Sequence, residues 1–192
     1  KKTGNFSRTW KSLHEKLWIL RYRFQPKRLK EPEIDEPERI AGSVRELGLK
    51  HVVITMVARD DLPDGGAFHI AKIIDEVRKT NPGVTIEVLT SDFQGNYKAI
   101  DQVLEKRPDI FNHNIETVRE LSPRVRHKAT YDRTLEVLRY VKSQNKSSFV
   151  KSGIMVGLGE TKEQVQETDQ RPRKKLDCDI ITIGHYLQAK YK

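Results

Sequence analysis

Apolar residues recur along this chain with two alternating periods. Ile40, Val44 and Leu47 share a helical face that Gly48 closes, and the short β-branched run His51-Val52-Val53-Ile54-Thr55-Met56-Val57 follows, with the composition of a strand buried on both faces. Ile70, Ile73, Ile74 and Val77 lie on one side of a second helix, which Asn81-Pro82-Gly83 ends. The cycle then repeats. Val84 to Leu89 reads as strand, Ile100, Val103 and Leu104 as helix, and Asp109 to Ile115 as strand. A long connection leads to a helix carrying Leu135, Leu138 and Val141, and Phe149 to Val156 reads as strand. Thr161 with Gln164 three residues on is a capping box that opens another helix, and Asp179 to Ile183 is the last strand.

Five such alternations, joined by crossovers long enough for parallel pairing, predict an α/β sheet or barrel with right-handed connections. In that architecture the C-terminal ends of all strands lie on one edge, so polar clusters far apart in sequence meet at one mouth. Four clusters stand at those positions: Arg59 to Gly66, Ser91-Asp92, Asn112 to Glu116, and Gly157 to Glu160.

Each cluster has a chemistry. Asp60, Asp61 and Asp64 stand beside Pro63 and the conformationally free Gly65 and Gly66, a set suited to an ammonium group; the same residues would equally cap the helix that starts at Ala67. Alternation sends Asn112, Asn114 and Glu116 to one face, where two amides and a carboxylate could bracket hydroxyls, and turns His113 the other way as a core residue. Lys151 lies on a strand whose mouth carries Gly157 and Gly159. Lys162 stands where a dinucleotide fingerprint needs its third glycine, and no Gly-Lys-Ser/Thr follows, so the glycines are read as room for a flat ligand.

Charge changes the picture at one end. Residues 1–30 hold ten Lys and Arg against Glu15 alone, whereas the other 162 residues balance 26 basic against 26 acidic side chains, so the net +9 sits in a basic arm with Trp10, Trp18, Tyr22 and Phe24. Such an arm could bind nucleic acid or an anionic surface, or serve as a targeting segment. It is read as a solvated lead-in, because no groove-reading motif accompanies it. The expected division is therefore an arm, 1–30, and an α/β body, 31–192. A first residue of Lys suggests a fragment or processed product. No apolar run nears the ~20 residues of a membrane span and no secretory signal is visible, so a cytoplasmic protein is expected, with an organellar one as the alternative. The single cysteine, Cys178, excludes an internal disulfide and a multi-cysteine zinc site, and lies at the start of a strand as a core residue.

Taken in order, Arg59 to Ala67, Asp92-Phe93-Gln94-Gly95, Phe111 to Thr117, Arg124-Val125-Arg126, Lys151 to Thr161 and Ile181 to Gln188 resemble lipoyl synthase, a family of radical S-adenosylmethionine enzymes. The resemblance, over about residues 31 to 190, implies a truncated, partial parallel (β/α) barrel of TIM-like type. It implies S-adenosylmethionine and two 4Fe-4S clusters as cofactors, and sulfur insertion into an octanoyl-lysyl group on a lipoyl domain or H-protein type partner. On this resemblance the loop with Asp61, Asp64 and Gly65 meets the methionyl amino group, Asn114 and Glu116 the ribose, and Gly157 with Ile183 to Tyr186 the rest of the nucleoside; Asn112 and Lys151 are counted with the same site. The chain departs from the family where the cluster cysteines would stand: Gly4 to Arg8 and Ile19 to Phe24 resemble the flanks of those motifs without their thiols. The family's last strands and terminal Arg-Ser-Ser-Tyr segment are also missing, Ala58, His185 and Ala189 replace family residues, and Pro172 falls inside the last helix. The implied function is that of a family member without its own cluster chemistry. The alternatives are a non-catalytic module that binds S-adenosylmethionine or a lipoyl domain, and nucleic-acid binding through the arm.

Overall fold

The computed structural model describes residues 31–144, 148–168 and 178–186. The basic arm, Pro172 and Ala189 lie outside these. Helix α1 (Glu36–Glu46) leads into β1 (His51–Thr55), α2 (Ala67–Thr80), β2 (Thr85–Leu89), α3 (Tyr97–Leu104) and β3 (Ile110–Asn112). The four-residue α4 (Ser122–Val125), α5 (Tyr131–Ser143), β4 (Phe149–Val156) and β5 (Ile180–His185) follow. The strands form one sheet in the order β1-β2-β3-β4-β5, every pair parallel. Sequence neighbours are thus spatial neighbours throughout, which is the winding of an incomplete β/α barrel.

Local chemistry sets the helix ends. The Asn96 side chain accepts from the backbone N–H groups of Lys98 and Ala99 at the start of α3, and Thr130 accepts from Arg133 at the start of α5. At the predicted capping box, Thr161 N–H donates to Gln164 Oε1 at 2.8 Å and Gln164 N–H to Thr161 Oγ1 at 3.3 Å. No helix among the described residues is long and apolar enough to cross a membrane.

The core lies on the outer face of the sheet. Val52, Ile54, Ile86, Val88, Phe111 and Val150 pack there against Ile70, Ile74 and Val77 of α2, Ile100 and Val103 of α3 and Leu138 of α5. Cys178 belongs to the same cluster, and Ile115, Val118, Tyr131 and Ile154 form a satellite. The inner face is different. Burial alternates along β1, with Val53 51% exposed, so the expectation that this strand is buried on both faces is corrected: among the described residues helices cover it on one side only. β3 is also shorter than the predicted Asp109 to Ile115. The chain leaves the ladder after Asn112 and returns as a single bridge from Glu116 to Ile154 of β4, with Glu116 at φ 66°. β5 runs on through Gly184 and His185, beyond the predicted end at Ile183.

Candidate functional site

Parallel winding brings the C-terminal ends of all five strands to one rim, with two layers of polar side chains on the inner face below it. The lower layer centres on Glu87 of β2, whose side chain is 1% exposed although it faces inward. Its Oε1 accepts from Asn112 Nδ2 and from Lys151 Nζ, both at 2.8 Å, and His51 Nε2 stands 3.4 Å from Oε2. Burial pushes the Glu87 carboxyl upward, but the hydrogen bonds from Lys151 and Asn112 and the Lys151 charge outweigh it and leave the pKa below the usual value. Asn112 Oδ1 is buried without a hydrogen-bond partner among the described residues. Asn112 and Lys151, both predicted site residues, therefore meet each other through an acid that sequence reading passed over. The one signal was a charge inside the apolar run Val84 to Leu89.

The upper layer holds Asn114, Gly153 and Thr182, one residue from each of three adjacent segments. A β-carbon on Gly153 would lie 2.7 Å from Asn114 Oδ1 and 3.0 Å from Thr182 Oγ1. Two residues along β5, Gly184 continues this face, and a β-carbon there would meet nothing within 4 Å among the described residues, which leaves its backbone open. Ile181 packs on the outer core, so Ile183 by alternation has its side chain on the outer side, 56% exposed, and can offer only backbone to the inner face. Tyr186 N–H donates to Val156 O at 2.8 Å, which extends the pairing of β4 and β5 to the rim.

Around this pair of layers stand the loops. Arg59 grips Asp61 with two hydrogen bonds, Nε at 2.8 Å and Nη2 at 2.7 Å, and Asp61 is held below the usual carboxylate range mainly by that contact. Asp64 accepts from Gly66 N–H at 3.0 Å and Phe68 N–H at 2.8 Å, so both of its oxygens cap α2, the local alternative the sequence left open. Gly65, at φ 62°, packs on Phe93, where a β-carbon would come within 3.1 Å of the ring. The β4 exit is latched by Glu160, whose carboxylate accepts from Gly157 N–H and, at 2.8 Å, from Leu158 N–H. Burial works against its ionisation, yet these amides hold its pKa down. Gly157 needs its φ of 99°, and a β-carbon there would press on His185 at 3.1 Å.

His113 points outward and is fully buried. Its Nδ1 lies 2.9 Å from Thr90 O, and a carbonyl only accepts, so Nδ1 carries the proton and Nε2 is the acceptor facing Arg126 and Thr134. Desolvation, aided by the Arg126 charge, lowers its pKa to about 4.

The family model described as the Radical SAM superfamily matches residues 12–171. The chain belongs to the radical SAM superfamily. Within it the chain is similar to the lipoyl synthase of Protochlamydia amoebophila, 63% identical over 155 residues that make up 80% of this chain and 48% of that protein. Lipoyl synthases of Caldanaerobacter subterraneus subsp. tengcongensis and Shouchella clausii are each 54% identical, covering 82% and 84% of this chain and 55% and 52% of theirs. The chain thus spans about half the length of the curated relatives it matches. A solved structure of methylornithine synthase superposes with a TM-score of 0.62 at 17% identity, over 82% of this chain and 45% of that one, a likeness of fold.

The radical SAM name implies S-adenosylmethionine and an iron-sulfur cluster, and the residues present answer the two differently. For the nucleoside, polar groups that could meet it are present: the Asn114 amide and Thr182 hydroxyl converge over Gly153, and the open backbone at Gly184 lies two residues after Thr182 on β5. For the cluster it fails. A 4Fe-4S cluster is held by cysteine thiolates, and this sequence has Cys178 alone. That cysteine is buried in the outer core with Sγ directed at Val150 O and Ile180 O, at 3.4 and 3.3 Å. Among the described residues no three His, Cys, Asp or Glu side chains gather as a metal-holding group.

Proposed function

We propose that these residues form the S-adenosylmethionine-binding face of a lipoyl-synthase-type barrel, and that an octanoylated lipoyl domain or H-protein type partner is the protein that meets its rim. The observation that supports this most is the meeting of Asn114, Gly153 and Thr182 beside the bare backbone at Gly184. Asn114 and Glu116 would take the ribose hydroxyls, and the purine plane would lie against the backbone from Gly157 and from Ile183 to Tyr186. At the other end of the ligand the Asp61 to Gly66 loop would receive the methionyl ammonium. Each Asp64 oxygen accepts one backbone N–H, and its remaining lone pairs together with carbonyls near Gly65 are the acceptors proposed there. Asn112 and Lys151, tied to Glu87, form the floor. S-adenosylmethionine supplies a sulfonium that other members of the superfamily cleave with an electron from a cluster. No step through a cluster is assigned to these residues, because the thiolates that would hold it are not in this sequence. Sulfur insertion is therefore not proposed for this set of residues; binding is.

Titration calorimetry with S-adenosylmethionine tests the reading. Saturable heat that Asn114→Ala weakens is expected, and no heat at millimolar ligand would overturn it. Anaerobic reconstitution with iron and sulfide tests the other half: stoichiometric bound iron with a visible charge-transfer band would overturn the statement that these residues hold no cluster.

A further inference from the structure

The segment 113–116 leaves the sheet ladder between Asn112 and Glu116, so the peptide that carries the Asn114 carbonyl is held at its Ile115 N–H end by the Ser152 side chain of β4 rather than by a backbone ladder bond. Neighbouring N–H groups are anchored: His113 to Lys151 O at 3.1 Å, Ile115 to Ser152 Oγ at 3.1 Å and Glu116 to Gly153 O at 2.9 Å. The Asn114 carbonyl turns the other way, to the outer side, and there it meets a guanidinium: Arg126 Nη1 donates to Asn114 O at 2.6 Å. We propose that Arg126 is a positioning residue for the nucleoside site, gripping the Asn114 carbonyl from the outer face and so setting how the Asn114 side chain enters the inner face above Gly153.

The grip is built on both sides. Arg126 Nη1 also donates to Thr134 Oγ1 of α5 at 2.9 Å, and Nη2 reaches His113 Nε2 at 3.3 Å. Because His113 commits its one proton to Thr90 O, the lone pair on Nε2 is available to Arg126, and the neutral ring adds no repulsion. Arg126 follows α4 directly, its own N–H donating to Ser122 O at 2.7 Å, so the guanidinium is placed by a short helix on one side and by α5 on the other. A planar fork with several donors in fixed directions can serve Asn114, Thr134 and His113 together, which a lysine ammonium on a flexible stem does not reproduce. On the inner side Asn114 Oδ1 occupies the space a side chain at 153 would fill, so backbone and side chain of one residue are clamped from opposite faces of the sheet. The role rests on the reading that Asn114 faces the nucleoside.

The experiment uses the full chain, with S-adenosylmethionine as probe and the Asn114 side-chain amide as a reporter that does not depend on it. Arg126→Ala, shown to be folded by a cooperative melt, should bind S-adenosylmethionine on the order of tenfold more weakly, the loss of a hydrogen bond to a charged group. Its Asn114 NH2 resonances should move toward solvent-exposed positions, and methylguanidinium added to the Ala variant should restore both. Arg126→Lys, which keeps the charge and N–H donors but not the planar fork, should fall between wild type and Ala, and replaces the Ala variant if that one does not fold. Unmoved Asn114 resonances in a folded variant would overturn the proposal, as would moved resonances with unchanged affinity. A wild-type chain that binds no S-adenosylmethionine would overturn the proposed function, and the Asn114 reporter would still decide whether Arg126 sets that side chain.

Discussion

Gly153 and Asn114 share one volume: a β-carbon on the first would stand 2.7 Å from the side-chain oxygen of the second. Gly153 has an ordinary strand conformation, so the need for glycine is a need for space. Gly153→Ala should push Asn114 off the inner face and cost about 1–3 kcal/mol through overpacking. In the double variant with Asn114→Ala the stability should return while S-adenosylmethionine affinity stays low. Urea melts and calorimetry on the three variants check this, and a double variant no more stable than Gly153→Ala would contradict it.

His113 makes stability depend on pH in a defined window. Its folded pKa is lowered from 6.5 to about 4, with Arg126 and Asp92 the charged groups that act on it and the Thr90 carbonyl and Thr134 hydroxyl its hydrogen-bond partners. The unfolded chain takes a proton near pH 6.5 and the folded one does not, so this contribution is complete above that pH. It declines as pH falls from about 6.5 toward 4, by roughly 3 kcal/mol in all. Carboxylates begin to titrate in the lower part of this range, so the diagnostic quantity is the difference between wild type and His113→Gln in chemical denaturation at pH 7 and at pH 4.5. The gap between the two should narrow at the lower pH.

Elements with strong local periodicity were legible. The apolar faces of α2, α3 and α5 and the β-branched runs of β1, β2 and β4 stand where the pattern put them, because each buries its stripe against a single core. The Thr161 and Gln164 box was legible for the same reason, its partners being three residues apart. The inner face was not. Glu87 is satisfied by Asn112 and Lys151, 25 and 64 residues away, and nothing near Glu87 in sequence distinguishes it from an exposed strand residue. The Asn114 and Gly153 contact is likewise visible only once β3 and β4 are paired. At Asp64 the sequence allowed a ligand contact or a helix cap; short-range geometry forms the cap, and each carboxylate oxygen keeps a further lone pair.

Glu160 closes the glycine turn at the β4 exit by accepting from the amides of Gly157 and Leu158. Glutamine keeps the shape but turns an N–H2 toward one of those donors, so Glu160→Gln should speed hydrogen exchange at the Gly157 and Leu158 amides. Since the folded carboxyl is held below its usual range, the latch is present above the ordinary carboxylate pKa and opens as pH falls through the lowered value. Exchange in wild type should therefore rise at acid pH, whereas in the Gln variant it should lack that step once corrected for intrinsic rates.

The Glu87 and Lys151 pair is asymmetric, and the asymmetry predicts which half is costlier to remove. Glu87 is 1% exposed and Lys151 19%, so the acid cannot reach water, whereas the ammonium on its flexible stem can. Lys151→Met leaves a buried carboxylate with Asn112 as its remaining close donor and should cost about 3–5 kcal/mol, more than Glu87→Leu. The double variant Glu87→Leu with Lys151→Met removes both charges and should recover most of the loss, since a well-packed apolar pair of similar volume often matches a buried ion pair. The pH dependence separates this from simple misfit. In wild type the lowered Glu87 pKa contributes stability above the unfolded carboxylate pKa, lost as pH falls through the folded value. In Lys151→Met the unpaired acid should instead protonate readily, so the two proteins should converge in urea midpoint as pH is lowered. Parallel midpoint curves, or single-variant losses that simply add in the double variant, would show that Glu87 and Lys151 are not coupled across β2 and β4.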